Sequence, residues 1–165
     1  MPAPSREKMA ELRDFIARHP LAVLASTSAD GAPQAALINI AVTPALEIIF
    51  ETTCETRKFA NLERDPRAAL VIGSGQETLQ YEGVADRPEG PAREQARDAF
   101  LAAFPEKAAD ENWPGNSYFR VRPQWLRFSS YYRPRNIAEY ELEERKPVVP
   151  SRLCWLRARL FPSRA

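Results

Sequence analysis

The stretch Phe50-Glu51-Thr52-Thr53-Cys54-Glu55-Thr56-Arg57-Lys58-Phe59 is where residue type and spacing point most directly to chemistry. Thr52-Thr53-Cys54-Glu55 fits a capping box, so the sequence predicts a short helix over about 54–64, closed by Asp65-Pro66. Arg57 and Lys58 then lie in or beside its first turn. A helix N-terminus carries partial positive charge, and a cation there is unfavourable by about 0.3–1 kcal/mol. That penalty disappears when an anion occupies the same place, because free backbone N–H groups, the dipole and two cationic side chains converge on it. Two readings fit these residues: a phosphate-holding pair, or two solvated cations near Glu55 and Glu63.

Other chemistries have little to work with. His19 is the single histidine, which argues against a histidine-based metal centre or a His-dependent nucleophilic triad. The two cysteines, Cys54 and Cys154, form neither a disulfide framework nor a C-x-x-C metal spacing. Glu82 is the nearest candidate for an acid or base, and a structural role on a strand suits it better. A net charge of +1 gives no global attraction to nucleic acid. Residues 1–18 are charged and lack a signal-peptide apolar stretch, and no apolar run approaches the roughly 20 residues of a membrane span. These features lead to the expectation of a cytoplasmic protein.

The elements that must position the cations follow from hydrophobic period and turn residues. With 165 residues, 44% hydrophobic and 27% charged, the chain suits one domain, and its fifteen prolines punctuate elements rather than repeats. A helix is predicted over 5–18, capped by Ser5 and ended by His19-Pro20. Strands are predicted over 21–28, 34–42, 46–52, 68–72, 78–86 and 117–129, and a further helix over 91–104. Ala29-Asp30-Gly31, Thr43-Pro44-Ala45 and Gly73-Ser74-Gly75 supply turns. Six strands with two or three short helices suggest a closed antiparallel barrel, α+β and mainly β. The barrel domain is placed at residues 1–145. The tail, 146–165, is basic, with Leu153, Trp155, Leu156, Leu160 and Phe161 among its arginines; it suits a packing helix or partly ordered tail better than a membrane-surface helix.

The order strand, Asp-Gly turn, strand, strand, then Thr-Arg-Lys opening a short helix resembles the FMN-binding, pyridoxamine 5'-phosphate oxidase-like split-barrel family. Residues 28–40, 50–66 and 77–85 carry the likeness, the last through Thr78-Leu79-Gln80-Tyr81-Glu82-Gly83. The resemblance implies a six-stranded Greek-key split barrel and FMN as cofactor. It implies that Arg57 and Lys58 hold the phosphate, with Thr56 assisting and Thr52 and Thr53 along the ribityl chain. Ala36, Leu37, Ile38 and Asn39 would run beside the isoalloxazine, small Ala35 and Ala36 letting the ring approach. Thr78 stands where the family often has glutamine. After the strand Pro123–Ser129 there is no Arg-Leu-His signature of the true vitamin oxidases, so that activity is not expected. The implied function is a flavin-dependent oxidoreductase of unspecified substrate. The alternatives are a non-catalytic flavin-binding or stress-response protein and a binder of the related deazaflavin cofactor. A homodimer with flavin at its interface is also implied, and the aromatic- and arginine-rich stretch from Tyr118 to Tyr132 is the expected contact.

Overall fold

The computed structural model describes residues 2–142. The first helix, α1 (Arg6–Arg18), is capped as the sequence predicts: the Ser5 side chain accepts from the Lys8 N–H, and Leu12, Phe15 and Ile16 are buried. The strands are β1 (Leu21–Thr27), β2 (Pro33–Asn39), β3 (Ala41–Val42), β4 (Ile48–Thr53), β5 (Arg67–Ile72), β6 (Glu77–Asp86), β7 (Asn116–Ser130) and β8 (Asn136–Glu141). Helix α2 (Arg57–Arg64) joins β4 to β5. Helix α3 (Pro91–Ala103) and a 3-10 helix (Pro105–Asp110) lie between β6 and β7.

The strand order is β2-β1-β5-β6-β7-β4-β3, with β8 also on β7, and every pairing is antiparallel. Eight strands replace the six expected. Two differences account for this. The predicted strand 34–42 breaks at Ile40, whose N–H donates to the Pro20 carbonyl at 2.9 Å, one step beyond the Leu21–Asn39 pair, while the next residue, Ala41, pairs with Ile49 of β4. Alternation of Ala36, Ile38, Ile40 and Val42 continues through the break, so periodicity alone does not show it. The stretch 136–141 is not among the predicted strands, but pairing with β7 makes it one.

The break at Ile40 also explains the curl of the sheet. Asn39 and Ala41 flank one residue, yet β2 and β3 are the two ends of the strand order. The sheet therefore bends back on itself into a half-barrel, with Leu24, Ile38, Ile48, Phe50, Leu70, Ile72, Leu79, Tyr81, Phe119 and Leu126 filling its interior. Tyr81 is fully buried, its hydroxyl 2.7 Å from the Val121 carbonyl and 3.0 Å from that of Leu46, and burial raises its pKa well above the ordinary tyrosine value. Leu46 does not begin a strand; it turns at φ 62° and β4 starts at Ile48.

Strand β7 changes partners midway: residues 116–121 pair with β4 and 125–130 with β8. Pro123 falls between those two stretches, where its missing N–H removes no bond from that edge. On the other edge the register shifts between Glu82 and Gly83, leaving Gln124 as the extra residue of a bulge. Gly83 is required there, since a Cβ would stand 2.2 Å from the Arg122 carbonyl oxygen.

The aromatic stretch expected as an interface is mostly core. Tyr118 is 2% exposed under α3, and Phe119 and Leu126 are buried; only Tyr131 and Tyr132 are largely exposed. A further exposed apolar surface lies on the outer face of the sheet. Leu37, Val23 and Val71 stand opposite one another on β2, β1 and β5, with Ala35, Ala25 and Ala69 in the next row. No described helix is long and apolar enough to cross a membrane.

Candidate anion-binding site

The site begins at the end of β4. Thr53 to Thr56 form a turn, with the Thr56 N–H donating to the Thr53 carbonyl at 3.1 Å. Thr56 is the N-cap of α2, its hydroxyl accepting from the Phe59 N–H at 3.3 Å. The helix thus starts three residues later than the predicted capping box places it, and Arg57 and Lys58 become its first two residues. The N–H groups of these two have no acceptor among the described residues, and the first turn contains no acidic residue.

The Thr56 hydroxyl also donates to the Thr53 carbonyl at 3.0 Å and lies 2.8 Å from the Thr52 hydroxyl. Both threonines therefore shape the turn. Asn61, buried in mid-helix, donates to Ser26 at 3.0 Å and Gln34 at 3.1 Å, and the Arg64 guanidinium donates to the Thr27 carbonyl. These bonds tie α2 to β1 and to the start of β2.

A cleft of 420 Å³ opens at this end, lined by Glu51, Thr52, Thr53, Thr56, Lys58, Asp110, Trp113 and Asn116. Its two carboxylates are occupied. Glu51 accepts from Asn116 at 3.1 Å, and Lys107 lies 3.9 Å from Glu51 and 3.2 Å from Asp110. Neither Arg57 nor Lys58 has an ion-pair partner among the described residues; Glu63 pairs with Arg87 instead, at 3.3 Å. Lys58 is half-buried, and desolvation lowers its ammonium pKa from the ordinary value. Arg57 is exposed beside the cleft rather than lining it. The donor set of unpaired helix N–H groups, one half-buried ammonium and one exposed guanidinium fits an anion such as a phosphate ester.

The other residues singled out in the sequence do not line this cleft. Ile38 points into the core, Leu37 is 67% exposed outside, and Ala36 and Asn39 are half-buried. They lie on β2, which pairs only with β1, so its second edge has no strand partner among the described residues. Thr78 is on β6 opposite Ser129. Sequence reasoning missed Asn116, Asp110 and Trp113. They reach the cleft through the pairing of Thr53 with Asn116, a contact that no local spacing reports.

The model of the family described as pyridoxamine 5'-phosphate oxidase matches residues 9–130. The chain belongs to this family. Its fold is shared by solved structures of low sequence identity. A heme binding protein from Mycobacterium smegmatis superposes with a TM-score of 0.72 at 23% identity, over 86% of this chain and 60% of that one. The conserved hypothetical protein Rv2991 from Mycobacterium tuberculosis gives 0.60 at 21% identity, over 83% and 89%. A protein related to general stress protein 26 of B. subtilis (pyridoxinephosphate oxidase family), from Clostridium acetobutylicum, gives 0.63 at 10% identity, over 84% and 97%. The chain thus spans less than two thirds of the length of the first of these. No curated protein matches the sequence. Within the matched residues, Thr56-Arg57-Lys58 opens α2.

Proposed function

We propose that the protein binds a flavin nucleotide through its phosphate at the N-terminus of α2 and acts as a flavin-dependent oxidoreductase. One observation carries this reading. Lys58 is half-buried at a helix start whose first two N–H groups have no acceptor and whose two cations have no carboxylate partner among the described residues. Such an arrangement is unfavourable alone and favourable around an anion. The isoalloxazine lies along the unpaired edge of β2, where Ala36, Leu37, Ile38 and Asn39 offer backbone groups and small Ala35 and Ala36 leave space. Thr78 is kept as a contact on the same reading. The flavin supplies the redox chemistry, while the protein supplies position and charge.

FMN is the cofactor proposed, and the test is affinity. Charge-assisted hydrogen bonds contribute roughly 1.5–3 kcal/mol each, and each 1.4 kcal/mol is about tenfold. Replacing both Arg57 and Lys58 with alanine is expected to weaken FMN binding about a hundredfold and leave riboflavin binding unchanged. Equal FMN affinity in parent and double variant removes the phosphate assignment. A second reading, a non-catalytic flavin carrier, draws on the cleft's carboxylates being tied to Asn116 and Lys107. Turnover of reduced nicotinamide with an added acceptor separates the two.

The homodimer is likewise a proposal, with its contact moved to the outer face of β2, β1 and β5. Leu37, Val23 and Val71 form an uncharged row there, of the sort that association covers.

A further inference from the structure

The cleft has far more room than one phosphate group fills, and one of the side chains lining it is a large aromatic. Trp113 lines it in the loop between the 3-10 helix and β7 and is 65% exposed. The backbone around it is held at several points. The Trp113 N–H donates to the Asp110 carbonyl at 2.9 Å, and its own carbonyl accepts from the Asn116 N–H at 3.0 Å. The Asn116 side chain donates to Glu51 at 3.1 Å, and the Gly115 carbonyl accepts from the Cys54 N–H at 3.0 Å. Gly115 can take no other side chain in this position, since a Cβ would stand 2.6 Å from the Cys54 sulfur and φ is +77°. The indole itself makes no ring contact and no hydrogen bond among the described residues.

A large aromatic side chain held out from a fixed backbone, at the edge of a cleft that receives an anion, is suited to stack on a planar ring. Much of the ordering cost of such a contact is already met, because the loop is bonded to Asp110 before the indole and to Glu51 and Cys54 after it. The two carboxylates of the lining, Glu51 and Asp110, are balanced by the two ammonium groups of Lys58 and Lys107, so the cleft does not carry a net negative charge against a phosphate-bearing ligand.

We propose that Trp113 forms a base-stacking subsite beyond the phosphate subsite, so that the preferred ligand is a flavin dinucleotide, its second phosphate leading to an adenine on the indole. This rests on the phosphate assignment above and deepens it. The flavin half keeps the place proposed along β2, while the nucleoside half occupies the opposite end of the cleft.

The experiment compares FAD and FMN by equilibrium titration of the full chain, in the parent and in Trp113→Ala, Trp113→Phe and the Arg57→Ala/Lys58→Ala pair. Stacking of one base on an aromatic side chain corresponds to a roughly five-fold to hundredfold change in affinity. The parent is expected to prefer FAD by that factor. Trp113→Ala is expected to abolish the preference for FAD over FMN, and Trp113→Phe to retain most of it. AMP alone is expected to quench the parent's tryptophan fluorescence and not that of Trp113→Ala. No preference for FAD in the parent, or a preference that survives Trp113→Ala, overturns the subsite. Loss of FMN affinity in the cationic double variant together with an unaltered response to Trp113→Ala keeps the phosphate anchor and removes the platform. The reverse pattern removes the anchor and keeps the platform.

Discussion

The Thr52 and Thr56 hydroxyl oxygens lie 2.8 Å apart, and the direction of their bond follows from their neighbours. Thr56 gives its proton to the Thr53 carbonyl, so Thr52 must be the donor of the pair. Thr56 Oγ1 then accepts from both Thr52 and the Phe59 N–H. Thr56→Ala is expected to cost about 0.5–2 kcal/mol, the usual effect of losing an N-cap. Thr56→Ser is expected to recover most of that. Urea unfolding of the two variants measures it, and equal stability of Thr56→Ala and the parent would contradict the cap.

Burial holds the Lys58 pKa below the ordinary lysine value in the ligand-free protein. The unfolded chain therefore binds more protons than the folded one in the window between the lowered and ordinary values. Stability of the free protein is expected to rise with pH across that window. A bound phosphate has the opposite demand, since it needs the ammonium charged. FMN affinity is expected to fall as pH rises through the same alkaline window, and Lys58→Met to flatten both trends. Titrations of FMN binding and unfolding against pH provide the check; a variant that keeps the parent's alkaline limb assigns it to another group.

Gly83→Ala is expected to destabilise strongly. The added Cβ meets the Arg122 carbonyl oxygen at 2.2 Å, and that atom is backbone rather than a movable side-chain end. Overpacking costs about 1–3 kcal/mol, and relaxing the β6–β7 bulge adds to it. Chemical denaturation that returns a midpoint like the parent's would show that the bulge can re-register.

Leu37→Glu tests the outer sheet face. Leu37 is 67% exposed in one chain, so the change should cost the isolated fold little, within about 0.5 kcal/mol. On the proposed dimer it places a charge in an apolar contact. Light scattering is expected to show the mass fall from near twice 18.7 kDa to near 18.7 kDa. A parent that is already a single chain with flavin bound rules the shared face out.

Oxidation of pyridoxine phosphate or pyridoxamine phosphate is not expected at ordinary enzyme rates. The chain has one histidine, His19, whose Nδ1 lies 2.8 Å from the Phe15 carbonyl at the end of α1, and none follows β7. Assay of the FMN-loaded protein for pyridoxal phosphate decides; efficient production would show that another group replaces the missing signature.

The sequence by itself determined the parts that depend on near neighbours. Ser5 and the apolar face of 9–16 specify α1, and Ser28 to Ala32 close a turn around Gly31 at φ 87°. A short helix with Arg57 and Lys58 in or beside its first turn is legible for the same reason, although its cap is Thr56 and not the box at 52–55. Tertiary structure alone decided the rest. Ile40 turns the chain from one end of the sheet to the other although its alternation is unbroken, because β1 begins at Leu21, opposite Asn39, and the residues beyond Ile40 find β4 as their partner instead. Residues 136–141 become a strand only because β7 is long enough to offer them an edge. Asn116 and Trp113 join the cleft only through a pairing 63 residues apart along the chain, Thr53 with Asn116. Local spacing encodes hydrogen bonds a few residues long; which strand edge meets which is set by the common burial of side chains distant in sequence.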